Sequence, residues 1–133
     1  MRPEETAMLT RALTILLLIA ATAVAQAQPA APARPSYEND LLRLSEILGA
    51  LHYLRDLCGA REGQAWRNEM QALLDAEAPS GERRDRLTAS FNRGYRGFQQ
   101  SYRTCTPAAD FAIRRYLEEG SRIARDITAR YTN

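Results

Sequence analysis

The chain contains no lysine, a single histidine (His52), a single tryptophan (Trp66) and only two cysteines, Cys58 and Cys105. Each scarcity removes a class of chemistry. Two thiols and one imidazole fall short of a four-ligand zinc site. There is no C-x-x-C, so a thioredoxin-like redox centre lacks its motif, and no C-x-x-C-H for c-type haem attachment. No glycine-rich phosphate loop is present, and no nucleophile motif surrounds a Ser or Cys. The expectation is a chain without metal or cofactor. All 18 basic residues are Arg, a trait of composition rather than of chemistry.

Long apolar runs are also missing, with one exception near the start. Residues 12–25 carry no charge, and their centre reads Ile15-Leu16-Leu17-Leu18-Ile19. Arg2 and Arg11 precede the run, and Ala25-Gln26-Ala27 supplies a small-x-small site before Gln28-Pro29. That order of charge, short apolar run and A-x-A site is a secretory signal peptide over residues 1–27. Glu4 and Glu5 are untypical of such a start, and Met8 offers a cleaner one. An uncleaved anchor is the alternative, and the only route to a membrane, but a spanning helix needs ~20 apolar residues. Pro29, Pro32 and Pro35 among alanines make residues 28–36 a tether, which leaves 37–133 as one domain.

An even pair of cysteines in an exported chain reads as a structural disulfide, Cys58–Cys105. The rest is helical in pattern. Leu41, Leu44, Leu48, Leu51 and Cys58 form one stripe, with Ile47 and Leu54 at its edge and Gly59 ending the helix. A shorter helix over about Gln64 to Ala78 turns Trp66, Met70, Leu73 and Leu74 inward and stops at Pro79-Ser80-Gly81. A third, from near Glu82 to near Cys105, places Leu87, Phe91, Tyr95, Phe98, Tyr102 and Cys105 on one face. Thr106-Pro107 reads as cap and first residue of a fourth, whose inward stripe is Ala109, Ile113, Tyr116, Gly120, Ile123, Ile127 and Tyr131. The expected fold is all-α: an up-down bundle of about four helices closed by one disulfide. The alternative is three helices and a short cross-helix. Both cysteines then fall at one pole, as a bridge requires.

Candidate sites are few. His52 stands four residues before Asp56, a spacing that can orient an imidazole for general-base work. A small hydrolase or transferase using His52 and an acid is thus the enzymatic alternative; a half-buried histidine bonded to its i+4 carboxylate is the plainer reading. Arg114–Glu118, Arg115–Glu119, Glu118–Arg122, Arg122–Asp126 and Asp126–Arg130 form an i,i+4 ladder expected on a solvated helix face. Charge is also unevenly spread: residues 28–81 hold five Arg and eight acids, residues 82–133 eleven Arg and six acids. Arg93, Arg96 and Arg103 share the polar arc of the third helix and are candidates for an anionic envelope component; nucleic acid is a poor candidate for an exported chain. Leu42, Tyr53 and Leu57 form a second apolar face on the first helix, a candidate for homodimerisation or for docking another envelope protein.

Several strings carry a resemblance: Leu51-His52-Tyr53-Leu54-Arg55 with Cys58-Gly59, Trp66-Arg67 with Met70 and Leu73-Leu74, and Phe91-Asn92-Arg93-Gly94-Tyr95-Arg96. Tyr102-Arg103-Thr104-Cys105-Thr106-Pro107-Ala108-Ala109 and Arg115-Tyr116 extend it. On these the chain resembles a family of small uncharacterised exported proteins of alphaproteobacteria, domain of unknown function 2385. The resemblance implies kind and compartment, and brings no catalytic residue or ligand. The function expected is that of a periplasmic binding or accessory factor of the cell envelope.

Overall fold

The computed structural model describes residues 34–131, and for Tyr131 the backbone alone. The signal segment and most of the tether lie outside the described residues. Four helices follow one another: α1 (Glu38–Leu57), α2 (Ala65–Glu77), α3 (Gly81–Ser101) and α4 (Pro107–Tyr131), with no strand among the described residues. None of the helices is long and apolar enough to cross a membrane.

The ends follow the local chemistry. Glu38 and Asp40 stand in the first turn of α1 and Arg55 in its last, each on the favourable side of the helix dipole. Cys58 caps that helix, and Gly59 takes the left-handed conformation that follows a helix end (φ +82°). Thr106 caps α4 as expected: its Oγ1 accepts from the N–H of Ala109 at 3.1 Å, with Pro107 in first position. The end of α3 departs from expectation. Tyr102 is already extended (φ −123°, ψ 125°), so Cys105 lies in the connection instead of closing the helix. Two tertiary ties hold that connection. The Tyr53 hydroxyl donates to the Tyr102 carbonyl, and Cys105 bonds Cys58 with Cα atoms 4.9 Å apart.

Cross-contacts fix the directions. Arg83 meets Glu38, and Gly94 meets Glu46, so α1 and α3 run parallel. Asp40 meets Arg130 and Arg43 meets Glu119, so α4 runs antiparallel to α1. This is the up-down order, with both cysteines at one pole. It is not a square bundle, however. α1 is the central rod: α2, α3 and α4 all pack on it, α2 barely touches α3, and α4 packs on neither α2 nor α3 as a neighbouring backbone. Buried Leu41, Ser45, Ile47, Leu48, Gly49, Ala50, Leu51 and Leu54 cover every side of α1, as a helix enclosed by others must.

That arrangement explains the second apolar face of α1. Leu42, Tyr53 and Leu57 are half-buried and pack against the core. The Tyr53 ring stands edge-on to Tyr95 of α3 at 5.5 Å. The face expected to meet a partner protein is covered from within the chain.

The α1–α3 contact is made backbone to backbone. A Cβ on Gly49 would lie 1.9 Å from the Phe91 carbonyl oxygen, and one on Gly94 2.0 Å from that of Glu46. Two glycines from facing helices thus open one crossing. Charge then ties the halves of the chain together. Glu38, 5 % exposed, is held by Arg83 (2.7 Å) and Arg86 (3.5 Å), and Arg93 reaches Glu46. Of the expected ladder on α4 only Arg122–Asp126 forms; Glu119 turns to Arg43, Arg130 to Asp40, and Arg114 to Asp110. The excess Arg of the second half is largely spent on the acids of the first.

Candidate functional site

Two concave sites follow from α1 being surrounded by helices that scarcely touch one another. The larger is a groove of about 510 Å³ between α2 and α4. Its floor is Leu44, Ile47, Leu48 and Leu51 of α1, an i, i+3, i+4, i+7 stripe about 10 Å long that the described helices already largely cover, Leu44 being half-buried and Ile47 and Leu51 buried. Ala65 and Trp66 form one wall, and Tyr116, Leu117, Gly120 and Ala124 the other. Gly120 keeps the second wall low, since a Cβ there would reach Ile47 Cγ2 at 3.2 Å.

The polar groups of the groove sit mostly on one rim. Glu62, in the connection before α2, and Glu69 of α2 line one side, and Ser121 the α4 side. Glu62 is fixed: its carboxylate accepts from the Arg55 guanidinium and from Trp66 Nε1, and the Arg55 bond holds it below the usual carboxylate range. Glu69 has no hydrogen-bond or ion-pair partner among the described residues. At the far wall Arg43 donates to Glu119 at 2.7 and 2.9 Å and covers the Tyr116 ring at 5.2 Å. That bidentate bond raises the guanidinium and lowers the Glu119 carboxyl.

The second site is polar. A cavity of about 250 Å³ is lined by His52 of α1, Arg67 of α2, and Phe91, Asn92, Tyr95 and Arg96 of α3. The imidazole packs on the rings of Tyr95 (5.6 Å) and Phe91 (6.0 Å). Its Nδ1 is buried without a hydrogen-bond partner. The expected bond to Asp56 is absent; Asp56 acts on His52 through its charge alone. Burial first, then the Arg67 charge, hold the imidazole below its usual pKa, against a smaller opposite pull from Asp56.

A pH dependence follows from that direction. The folded protein binds the His52 proton less readily than the unfolded chain, whose pKa is 6.5. Stability from this group is therefore full above about pH 6.5 and falls as the pH drops through the lower folded value. Urea midpoints taken between pH 8 and pH 5 should fall for the wild type, and His52→Gln should flatten that fall. Parallel curves would remove His52 as the cause.

The remaining candidates are separated by the fold. Arg93 turns to Glu46 and Ser90, Arg96 lines the His52 cavity, and Arg103 lies exposed in the connection after α3. They do not form one anion-binding arc. Cys58 and Cys105 are brought together as a disulfide, and no metal-binding cluster of His, Cys, Asp and Glu occurs among the described residues. Sequence reasoning did not find the groove or Arg67. The seven-residue spacing of Glu62 and Glu69 beside Trp66 was the available signal for the first.

No curated protein and no solved structure matches the chain. A family model described as a protein of unknown function (DUF2385) matches residues 36–131, the whole of the four-helix unit and most of the chain. On that match the chain belongs to the DUF2385 family.

Proposed function

We propose that this chain is an exported, non-catalytic binding protein of the cell envelope, whose groove between α2 and α4 takes the apolar face of a partner protein's amphipathic helix. One observation carries the reading: an apolar groove of about 510 Å³ lies between α2 and α4 over Leu44, Ile47, Leu48 and Leu51 at helix-packing spacing, and no helix among the described residues fills it. The groove opens to solvent, which suits a helix laid in from the side. Glu69 on the α2 rim, with no ion-pair partner among the described residues, favours a partner with a basic residue on that flank, whereas Glu62 is already paired with Arg55. Against the enzymatic alternative, the cavity at His52 is lined by two guanidinium groups, an amide and two aromatic rings, with no Ser, Thr or Cys to serve as nucleophile.

Export is supported by the charged start, short apolar run and A-x-A site of residues 1–27, and a Cys58–Cys105 bridge suits an oxidising compartment. Periplasmic material should therefore begin near Gln28 on N-terminal sequencing. A species retaining residues before Ala20 refutes the cleavage.

The groove is tested by photocrosslinking in intact cells from Ala65 and Ala124, exposed positions on its two walls, with Arg103 as a control outside it. Both wall positions should join the same apolar, Arg- or Lys-flanked segment of one envelope protein. Leu117→Glu should reduce those adducts at least tenfold while leaving the helical circular dichroism unchanged. Adducts between two copies of the chain, adducts to lipid alone, or equal labelling from Arg103 would each defeat the assignment.

A further inference from the structure

We infer that the cavity between α1, α2 and α3 is a phosphate-binding site, formed by Arg67, Arg96, Asn92 and His52, and separate from the groove proposed to hold a protein helix. The first ground is charge. Arg67 and Arg96 come from different helices to line one cavity of about 250 Å³, and no carboxylate lines it with them. Most guanidinium groups of the four-helix unit have an acid within ion-pair distance; these two have none among the described residues. Two unpaired guanidinium groups facing one space leave a double positive charge, which a phosphate dianion neutralises and a single carboxylate does not. Each guanidinium also offers planar paired donors that fit an oxyanion's edge.

The second ground is an unmet hydrogen bond. His52 Nδ1 is buried with no partner, a state that costs free energy unless some group completes it. The ring packs on Tyr95 and Phe91 of α3. Asn92 adds an amide donor from α3. Beyond Arg67 and Asn92 the cleft continues into a shallower hollow of about 130 Å³ lined by Met70, Gln71, Leu74 and Thr88. That hollow leaves room for whatever carries the phosphate.

The histidine then acts as a proton-linked fourth donor. Without ligand, burial and Arg67 favour the neutral ring, while Asp56 on α1 pulls weakly the other way. A dianion between Arg67 and Arg96 offsets the guanidinium charge and favours imidazolium. Tyr95 is the remaining titratable group at the cavity. Binding should tighten as the pH falls from 8 to 6.

The single histidine makes the test clean. The two carbon-bound ring protons of His52 are followed by NMR in the untagged mature protein at constant ionic strength, with chloride, sulfate or inorganic phosphate added. Sulfate stays a dianion throughout and separates ligand protonation from that of His52. Saturating sulfate or phosphate should raise the His52 pKa by about one unit, which is about tenfold tighter binding to the imidazolium form. Chloride should not. Arg67→Gln and Arg96→Gln should each weaken phosphate binding at least tenfold, while Arg103→Gln binds as the wild type does. A last arm compares glycerol 3-phosphate with phosphatidylcholine vesicles containing phosphatidic acid. Arginine-dependent binding to the soluble ester alone assigns a free phosphate compound; binding to the vesicles assigns a lipid headgroup. The inference is overturned if chloride shifts His52 as much as sulfate does, or if Arg67→Gln and Arg96→Gln bind no worse than Arg103→Gln.

Discussion

Gly94→Ala should destabilise the protein by about 3–5 kcal/mol, a large share of the roughly 5–15 kcal/mol that holds a small domain together. The sign is opposite to what helix propensity gives. In an exposed helix interior the same change stabilises by about 1 kcal/mol, because Ala loses less backbone entropy. At position 94 the added carbon would fall 2.0 Å from the Glu46 carbonyl oxygen and 3.0 Å from the Ala50 nitrogen. Both obstacles are main chain, so no side-chain rotation relieves them. α1 and α3 must part by more than an ångström, which loosens Leu87 and Phe91 and stretches the Arg83–Glu38 bond. Gly49→Ala meets the Phe91 carbonyl at 1.9 Å and should cost as much. Gly97→Ala, with nothing within 4 Å of the new carbon, is the control and should be neutral or stabilising. Urea unfolding of the three variants measures this. A Gly94→Ala protein within 0.5 kcal/mol of wild type would mean that the helices do not cross at those glycines.

The contrast among these glycines shows which part of the fold the sequence carries. Gly59, Pro79-Ser80-Gly81 and Thr106-Pro107 stop or start helices by local rules, and the helices end or begin within two residues of them. Gly94 interrupts a good helix, and periodicity says only that something must come close. What comes close is Glu46, separated from it by the second half of α1, all of α2 and the first half of α3. The end of α3 was hidden for the same reason. Nothing local distinguishes Tyr102 from another turn of helix; its carbonyl is taken by the Tyr53 hydroxyl and the next residues are drawn toward Cys58.

The sites depend even more on such distant pairings. The two apolar faces of α1 are plain in the sequence, but whether the second meets a partner or α3 is decided by the Gly49–Gly94 crossing. His52 is conspicuous as the only histidine, and sequence spacing offers it Asp56. Its ring instead meets α3, which puts Phe91, Tyr95 and Arg96 beside it and leaves Asp56 at a distance. The groove arises where two helices fail to meet, and no stripe on either announces a gap. Trp66, expected inward, lines that gap half-buried, as does Tyr116 from α4.

Removing the disulfide should cost about 4 kcal/mol, the loop-closure entropy of joining residues 47 apart in the unfolded chain. The magnitude matters because the bridge has little help at its pole. Around it the tertiary ties are the Tyr53–Tyr102 hydrogen bond and the Phe98, Tyr102 and Tyr116 rings, stacked at 5.8 Å and edge-on at 5.6 Å. α3 and α4 otherwise meet through α1, so without the bridge the connection at 102–106 is free to swing and the end of α4 loses its anchor. Cys58→Ser, Cys105→Ser and the double variant should lose nearly the same stability, since any one of them opens the same loop. Thermal midpoints should fall by on the order of 15–30 °C for a domain of this size. Cys105 is exposed, so a mild reductant should reach the bond in the folded protein and give a reduced wild type that melts with the double variant. The reduced wild type keeps the test open should the serine variants fail to accumulate. If reduction shifts the midpoint by less than 5 °C, the hydrophobic core and the Gly49–Gly94 crossing hold the pole unaided, and the bridge is dispensable to the fold.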